Sequence, residues 1–113
     1  MTGLKKNREF LTVYKNGKSK ADVNLVLYAY HRNEPSEARV GISVSKKVGN
    51  SVVRHRIKRR LKEIARLHAD AFADGYDYVV LARVRAREAD YRALEKSFIK
   101  LAGIVMKPQS QKL

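Results

Sequence analysis

The sequence predicts an α+β fold, a two-layer sandwich in which helices cover a small, mostly antiparallel sheet in the order helix, strand, strand, helix, strand, helix. Three observations predict it. Apolar residues recur at helical spacing in three stretches; three shorter stretches alternate or run apolar as strands do; and 113 residues with 44% apolar content suffice for one modest core without staples.

From residue 7 to 16, Phe10, Leu11, Val13 and Tyr14 fall at helical spacing, and Gly17 stands where a left-handed residue would end the helix. Residues 23–31 read as a strand, with Val26, Tyr28 and Tyr30 on one face and Val23, Leu25, Leu27 and Ala29 on the other. A polar turn containing Pro35 follows, and residues 39–45 alternate Val40, Ile42 and Val44 against Arg39, Gly41, Ser43 and Ser45, so the two strands read as an antiparallel hairpin. Gly49 breaks the second strand, and Asn50 or Ser51 is placed to cap a long helix. Its apolar stripe is Val53, Ile57, Leu61, Ile64, Leu67 and His68, with Arg60 at the stripe's edge, where its stem can lie along the core and its head reach out. Residues 77–82 form an apolar run suited to a central strand covered on both faces. Tyr91, Leu94, Phe98, Leu101, Ala102 and Val105 then mark a last helix, capped by Asp90 and ended at Lys107-Pro108. The chain reads as one domain over 1–113, ordered from about 4 to 106, with a flexible tail at 107–113.

Composition narrows the function. Lys and Arg number 25 against 11 Asp and Glu, leaving +14, which points to a polyanion as partner. Charge is concentrated: residues 46–66 hold nine basic side chains and one acid, Glu63, or +8 of that total. A membrane-surface helix would carry Trp or Phe anchors, and this one offers only Val, Ile, Leu and Ala, so no membrane partner is expected. No apolar run reaches the eighteen or so residues of a spanning helix, no signal peptide is evident at the N-terminus, and cysteine is absent. The expected location is the cytoplasm.

Ser43 to Glu63, which contains Lys46-Lys47-Val48-Gly49-Asn50 and Arg54-His55-Arg56-Ile57-Lys58-Arg59-Arg60, closely resembles the bacterial ribonuclease P protein family, whose signature is a Lys-Lys-x-Gly-Asn turn followed by a basic helix beginning Arg-Asn-Arg. The likeness extends from Leu4 to Leu101, through Glu9, Phe10, Val13, Tyr14 and Gly17 at one end and Val79 to Arg83 at the other. It implies a protein that binds a catalytic RNA subunit and the 5′ leader of precursor tRNA and promotes removal of the leader, with the catalysis and the Mg²⁺ held mainly by the RNA. It also implies a left-handed βαβ crossover through the basic helix. No protein catalytic residue, dedicated protein metal site or obligate protein partner is implied. The RNA-contacting residues carried over are Lys46, Lys47, Arg54, Arg56, Lys58, Arg59 and Lys62, with His55 and Arg66 on the same helix. His55 replaces the family's asparagine and retains a hydrogen-bond donor. A leader cleft would use Phe10, Tyr14 and Tyr28, with Val26 and Tyr30 as neighbours.

Spacing alone reads Phe10 and Tyr14 as core, and only the resemblance makes them a platform for bases. His31, His55 and His68 lack metal-ligand spacing, and Asp70, Asp74 and Asp77, near Gly75, read as helix-end and turn residues. Two other classes compete: a generic structural or ribosome-associated RNA-binding protein, which needs no aromatic cleft, and a stand-alone metal-dependent nuclease, which needs clustered carboxylates.

Overall fold

The computed structural model describes residues 1–105; the expected flexible tail lies outside them. Helix α1 (Asn7–Asn16), α2 (Ser51–Leu67) and α3 (Tyr91–Val105) surround a five-stranded sheet of β1 (Thr2–Gly3), β2 (Lys18–Ala21), β3 (Leu25–His31), β4 (Arg39–Val44) and β5 (Tyr76–Ala82). The spatial order is β1-β4-β5-β3-β2. Pairing is antiparallel across β2, β3 and β5 and parallel across β5, β4 and β1.

β3 and β4 therefore do not form the expected hairpin. β5, apolar along most of its length, takes the centre and separates them, pairing antiparallel with β3 and parallel with β4. A strand that apolar needs cover on both faces and a partner on both edges, which a sheet end cannot give. The connection from β3 to β4 instead wraps the start of β5. Arg32 donates its backbone N–H to the Gly75 carbonyl, Gly75 donates to the Ser36 carbonyl, and the Arg32 guanidinium reaches the carbonyls of Tyr76, Ser36 and Glu37. Gly75 (φ 83°) and Asn33 (φ 66°) take the left-handed region that these residue types tolerate best.

The hairpin that does form joins β2 to β3 through a turn in which the Asp22 carboxylate accepts from the N–H groups of Asn24 and Leu25, both at 2.9 Å. Val23 belongs to this turn and is 63% exposed, rather than facing the core with Leu25. Gly17 is extended (φ −83°), not left-handed; a Cβ there would meet the carbonyl oxygens of Val13 at 2.7 Å and Ala29 at 2.8 Å, so closeness of α1 to β3 explains it.

The main core lies between the sheet and α2 with α3, and Leu25, Leu27, Ile57, Leu61, Ile64, Leu94, Phe98 and Leu101 are buried in it. Asn50 caps α2, accepting from the Val53 N–H at 3.0 Å, and Asp90 caps α3 through the Ala93 N–H at 2.8 Å. The buried arc of α2 includes Ala65 and leaves Leu67 at its margin, 53% exposed; Phe72, against Tyr78 and Phe98, fills the core beyond the helix end. Arg60 sits half-buried and donates to the Ala89 carbonyl at 3.3 Å. α2 is thus the crossover between parallel neighbours β4 and β5, the βαβ unit that the resemblance implies. A smaller cluster of Leu4, Val13 and Val79 holds α1 on the opposite sheet face. No described helix is long and apolar enough to cross a membrane.

Candidate nucleic-acid interface

The chain leaves β4 through a short turn, Lys46–Val48, whose fully buried Val48 anchors it and leaves Lys46 and Lys47 exposed. In α2, burial of Ile57, Leu61 and Ile64 forces His55, Lys58, Arg59, Lys62 and Arg66 into solvent. Arg54 and Arg56 are half-buried. Arg54 Nε folds back to donate to the Gly49 carbonyl at 3.1 Å, bracing the turn, while Arg56 Nε is buried and without a partner among the described residues. Arg66 stands apart: its guanidinium donates to both Glu63 oxygens, at 3.0 and 2.6 Å, which lowers the Glu63 pKa and raises its own. The other predicted cations of the strip are in no ion pair among the described residues.

A groove of about 530 Å³ opens beside α1, walled by Asn7, Phe10, Leu11 and Tyr14 of the helix, by Ile42, Ser43 and Val44 of β4, and by Lys58 of α2. Phe10 and Tyr14, with ring centres 6.4 Å apart, give the groove its aromatic wall, and Tyr28 packs edge-on against Tyr14 at 4.9 Å, backing that wall without lining the groove. Strand alternation makes this possible: Leu25, Leu27 and Ala29 enter the main core, so Val26, Tyr28 and Tyr30 must face α1. Lys58 joins the basic strip to the groove. Val26 lies on the same face outside the groove wall, and Tyr30 lines a separate recess of about 290 Å³ with Arg8, Thr12, Arg39 and Asp77. Leu11 is 63% exposed at the groove's lip.

Gly41 sets the depth of the groove. A Cβ there would lie 2.5 Å from Phe10 Cζ, so the ring can rest on the sheet only above a glycine. Gly41→Ala is expected to displace Phe10 and lower the unfolding free energy by about 1–3 kcal/mol through overpacking, measured in urea denaturation. Unchanged stability would contradict this.

Sequence reasoning missed the network that holds α1 in place. Asp77 is not a turn residue; it lies on β5, 3% exposed, and accepts from Arg32 Nη1 at 2.6 Å and from Arg39 Nε and Nη2 at 2.7 and 2.6 Å. Arg39 also donates to Glu9 at 2.9 Å, and the other Glu9 oxygen accepts from the backbone N–H groups of Lys5 and Lys6 at the start of α1. Those backbone bonds, with Arg39, hold the Glu9 pKa below its ordinary value, while Asp77 raises that of Arg39. The only early signal was Glu9 beside the helix start. Among the described residues no three His, Asp or Glu side chains come together, and the buried carboxylate of Asp77 is taken up by guanidinium donors.

Comparison with known proteins adds to this geometry. The family model for ribonuclease P matches residues 2–105. The ribonuclease P protein component of Clostridioides difficile is 47% identical over 96 residues, spanning 84% of this chain and 83% of that protein, and that of Natranaerobius thermophilus is 47% identical over 98 residues, spanning 87% and 84%. Among solved structures, the RNase P protein of Staphylococcus aureus superposes with a TM-score of 0.84 at 34% identity, covering 95% of this chain and 99% of that one. That of Thermotoga maritima gives 0.79 at 25% identity, covering 96% and 99%. The matched sequence includes the Lys-Lys turn, the basic helix and the aromatic groove, and the chain belongs to the ribonuclease P protein family.

Proposed function

We propose that this chain, as the accessory protein subunit of ribonuclease P, grips the catalytic RNA through the strip Lys46, Lys47, Arg54, His55, Arg56, Lys58, Arg59 and Lys62, with Arg66 at its end. In the same reading it holds the 5′ leader of precursor tRNA over Phe10, Tyr14 and Tyr28. Val26 and Tyr30 flank these rings. The observation that carries this reading is the meeting of a cationic strip and an aromatic groove at one residue, Lys58. Aromatic faces stack on any unpaired base, as a leader of variable sequence requires, at about 1–3 kcal/mol per base. Cations along α2 engage phosphates, with arginine doing so through a planar fork. Cleavage itself, with its Mg²⁺, belongs to the RNA; the protein neutralises phosphate and positions the leader, and works in the cytoplasm as a single RNA-binding domain.

The test is reconstitution. Added to its cognate RNA subunit, the protein should raise precursor-tRNA cleavage at low Mg²⁺. Tyr14→Ala should lower affinity for a leader-bearing substrate about 5- to 150-fold, the stacking energy of one base, while leaving binding of mature tRNA and of the RNA subunit unchanged. A generic RNA-binding protein would show no such selectivity, and cleavage by the RNA-free protein would favour a stand-alone nuclease.

A further inference from the structure

The basic surface does not end with α2. After β5 the chain makes a second short turn, Val84–Glu88, which packs against the Lys46–Val48 turn and against α2. Its central Ala86 is fully buried in the main core. A 3₁₀ turn advances about a third of a circle per residue, so burying Ala86 drives both its neighbours outward. Those neighbours are Arg85 and Arg87, both exposed, and neither makes an ion pair or hydrogen bond among the described residues. Arg60 ties the turn to α2 through the Ala89 carbonyl, and Arg83 ties its start to the β2–β3 turn by donating to the Asp22 carbonyl at 2.8 Å. The two free arginines thus stand on a fixed base beside Lys46 and Lys47. None of the turn's residues lines the aromatic groove.

We infer that Arg85 and Arg87 form a second anchor for phosphates of the catalytic RNA subunit, extending the contact made by the Lys46–Val48 turn and α2. This rests on the reading of α2 as the RNA grip. Continuity with that strip and separation from the leader groove select the RNA subunit over the substrate. Arginine suits the role because its fork meets two phosphate oxygens at once and loses little freedom on a rigid turn.

The test titrates the full-length protein against the transcript of its cognate RNA subunit over a series of salt concentrations. Arg85→Ala with Arg87→Ala should weaken binding about tenfold at moderate salt and reduce the log-log salt slope by about 1 to 2, as loss of one or two phosphate contacts requires. Arg85→Lys with Arg87→Lys should keep most of the slope. Unchanged affinity and slope in the alanine pair, when Arg54→Ala with Arg56→Ala does weaken binding, would overturn the inference alone. A loss seen only in precursor-tRNA binding by the assembled holoenzyme would also overturn it, by assigning the pair to substrate. If neither pair affects binding of the transcript, the reading of α2 falls and this inference with it.

Discussion

Arg54→Ala combined with Arg56→Ala should weaken binding of the RNA subunit about 100- to 10,000-fold at moderate salt. A hydrogen bond to a charged group is worth about 1.5–3 kcal/mol, and two such contacts give about that range. These two arginines differ from the exposed cations around them because they are half-buried. The half-buried Arg56 side chain loses less freedom than a fully exposed one when it meets a phosphate. Arg54 is braced against the Gly49 carbonyl, which fixes its direction before RNA arrives. If the strip engages five to seven phosphates, the wild-type slope of log affinity against log salt should be roughly −4 to −6, and the double variant should lose about 2 of it. Arg54→Lys, which keeps charge but not the fork, separates loss of the brace from loss of charge. Affinity and slope equal to wild type in the alanine pair would remove the basis for assigning RNA contacts to α2.

Asp77→Ala should be the most damaging single change to the fold, lowering the unfolding free energy by about 3–5 kcal/mol in urea denaturation. The loss arises from what stays behind. The Arg32 side chain is 5% exposed and that of Arg39 33%, and without the carboxylate both guanidinium groups remain partly desolvated and facing each other. Against a total stability of about 5–15 kcal/mol for a domain of this size, that is a large share. The groove should suffer too, since Arg39 links Asp77 on β5 to Glu9 at the start of α1. Asp77→Asn, which keeps an acceptor and the side-chain shape, should recover part of the loss. A change below 1 kcal/mol in the alanine variant would mean that water takes over the role of the carboxylate.

What was legible beforehand follows from how local each feature is. The caps Asn50 and Asp90, the centre of the α2 stripe, the α3 stripe and the apolar run of β5 are set within a few residues, and the structure has them where the sequence placed them. β2 was invisible because Lys18-Ser19-Lys20-Ala21 carries no apolar alternation; backbone pairing with β3 alone defines it, and its lysines suit an exposed edge. The β3–β4 hairpin failed because strand order depends on β5, which arrives more than thirty residues later in the chain. The site divides in the same way. The Lys46–Lys47 turn and basic helix form one continuous segment and could be read directly. The β4 wall of the groove, the clamp on Asp77 and the Val84–Glu88 turn depend on residues made adjacent by that strand order, so no local pattern announced them.

The central position of β5 also dictates when the protein becomes competent during its own synthesis. Before Tyr76–Ala82 in chain order, the sheet pairings of the structure are only the β2–β3 hairpin and the two-residue β1–β4 pair, with nothing joining β3 to β4. The cationic helix is made earlier but has no completed surface to lie on, and its like charges oppose a lone helix. The late strand β5 joins the two halves of the sheet, and the Val84–Glu88 turn and α3, later still, complete the core under the basic helix. Strand order thus makes the surface of the basic helix and the wall of the groove late products of the chain.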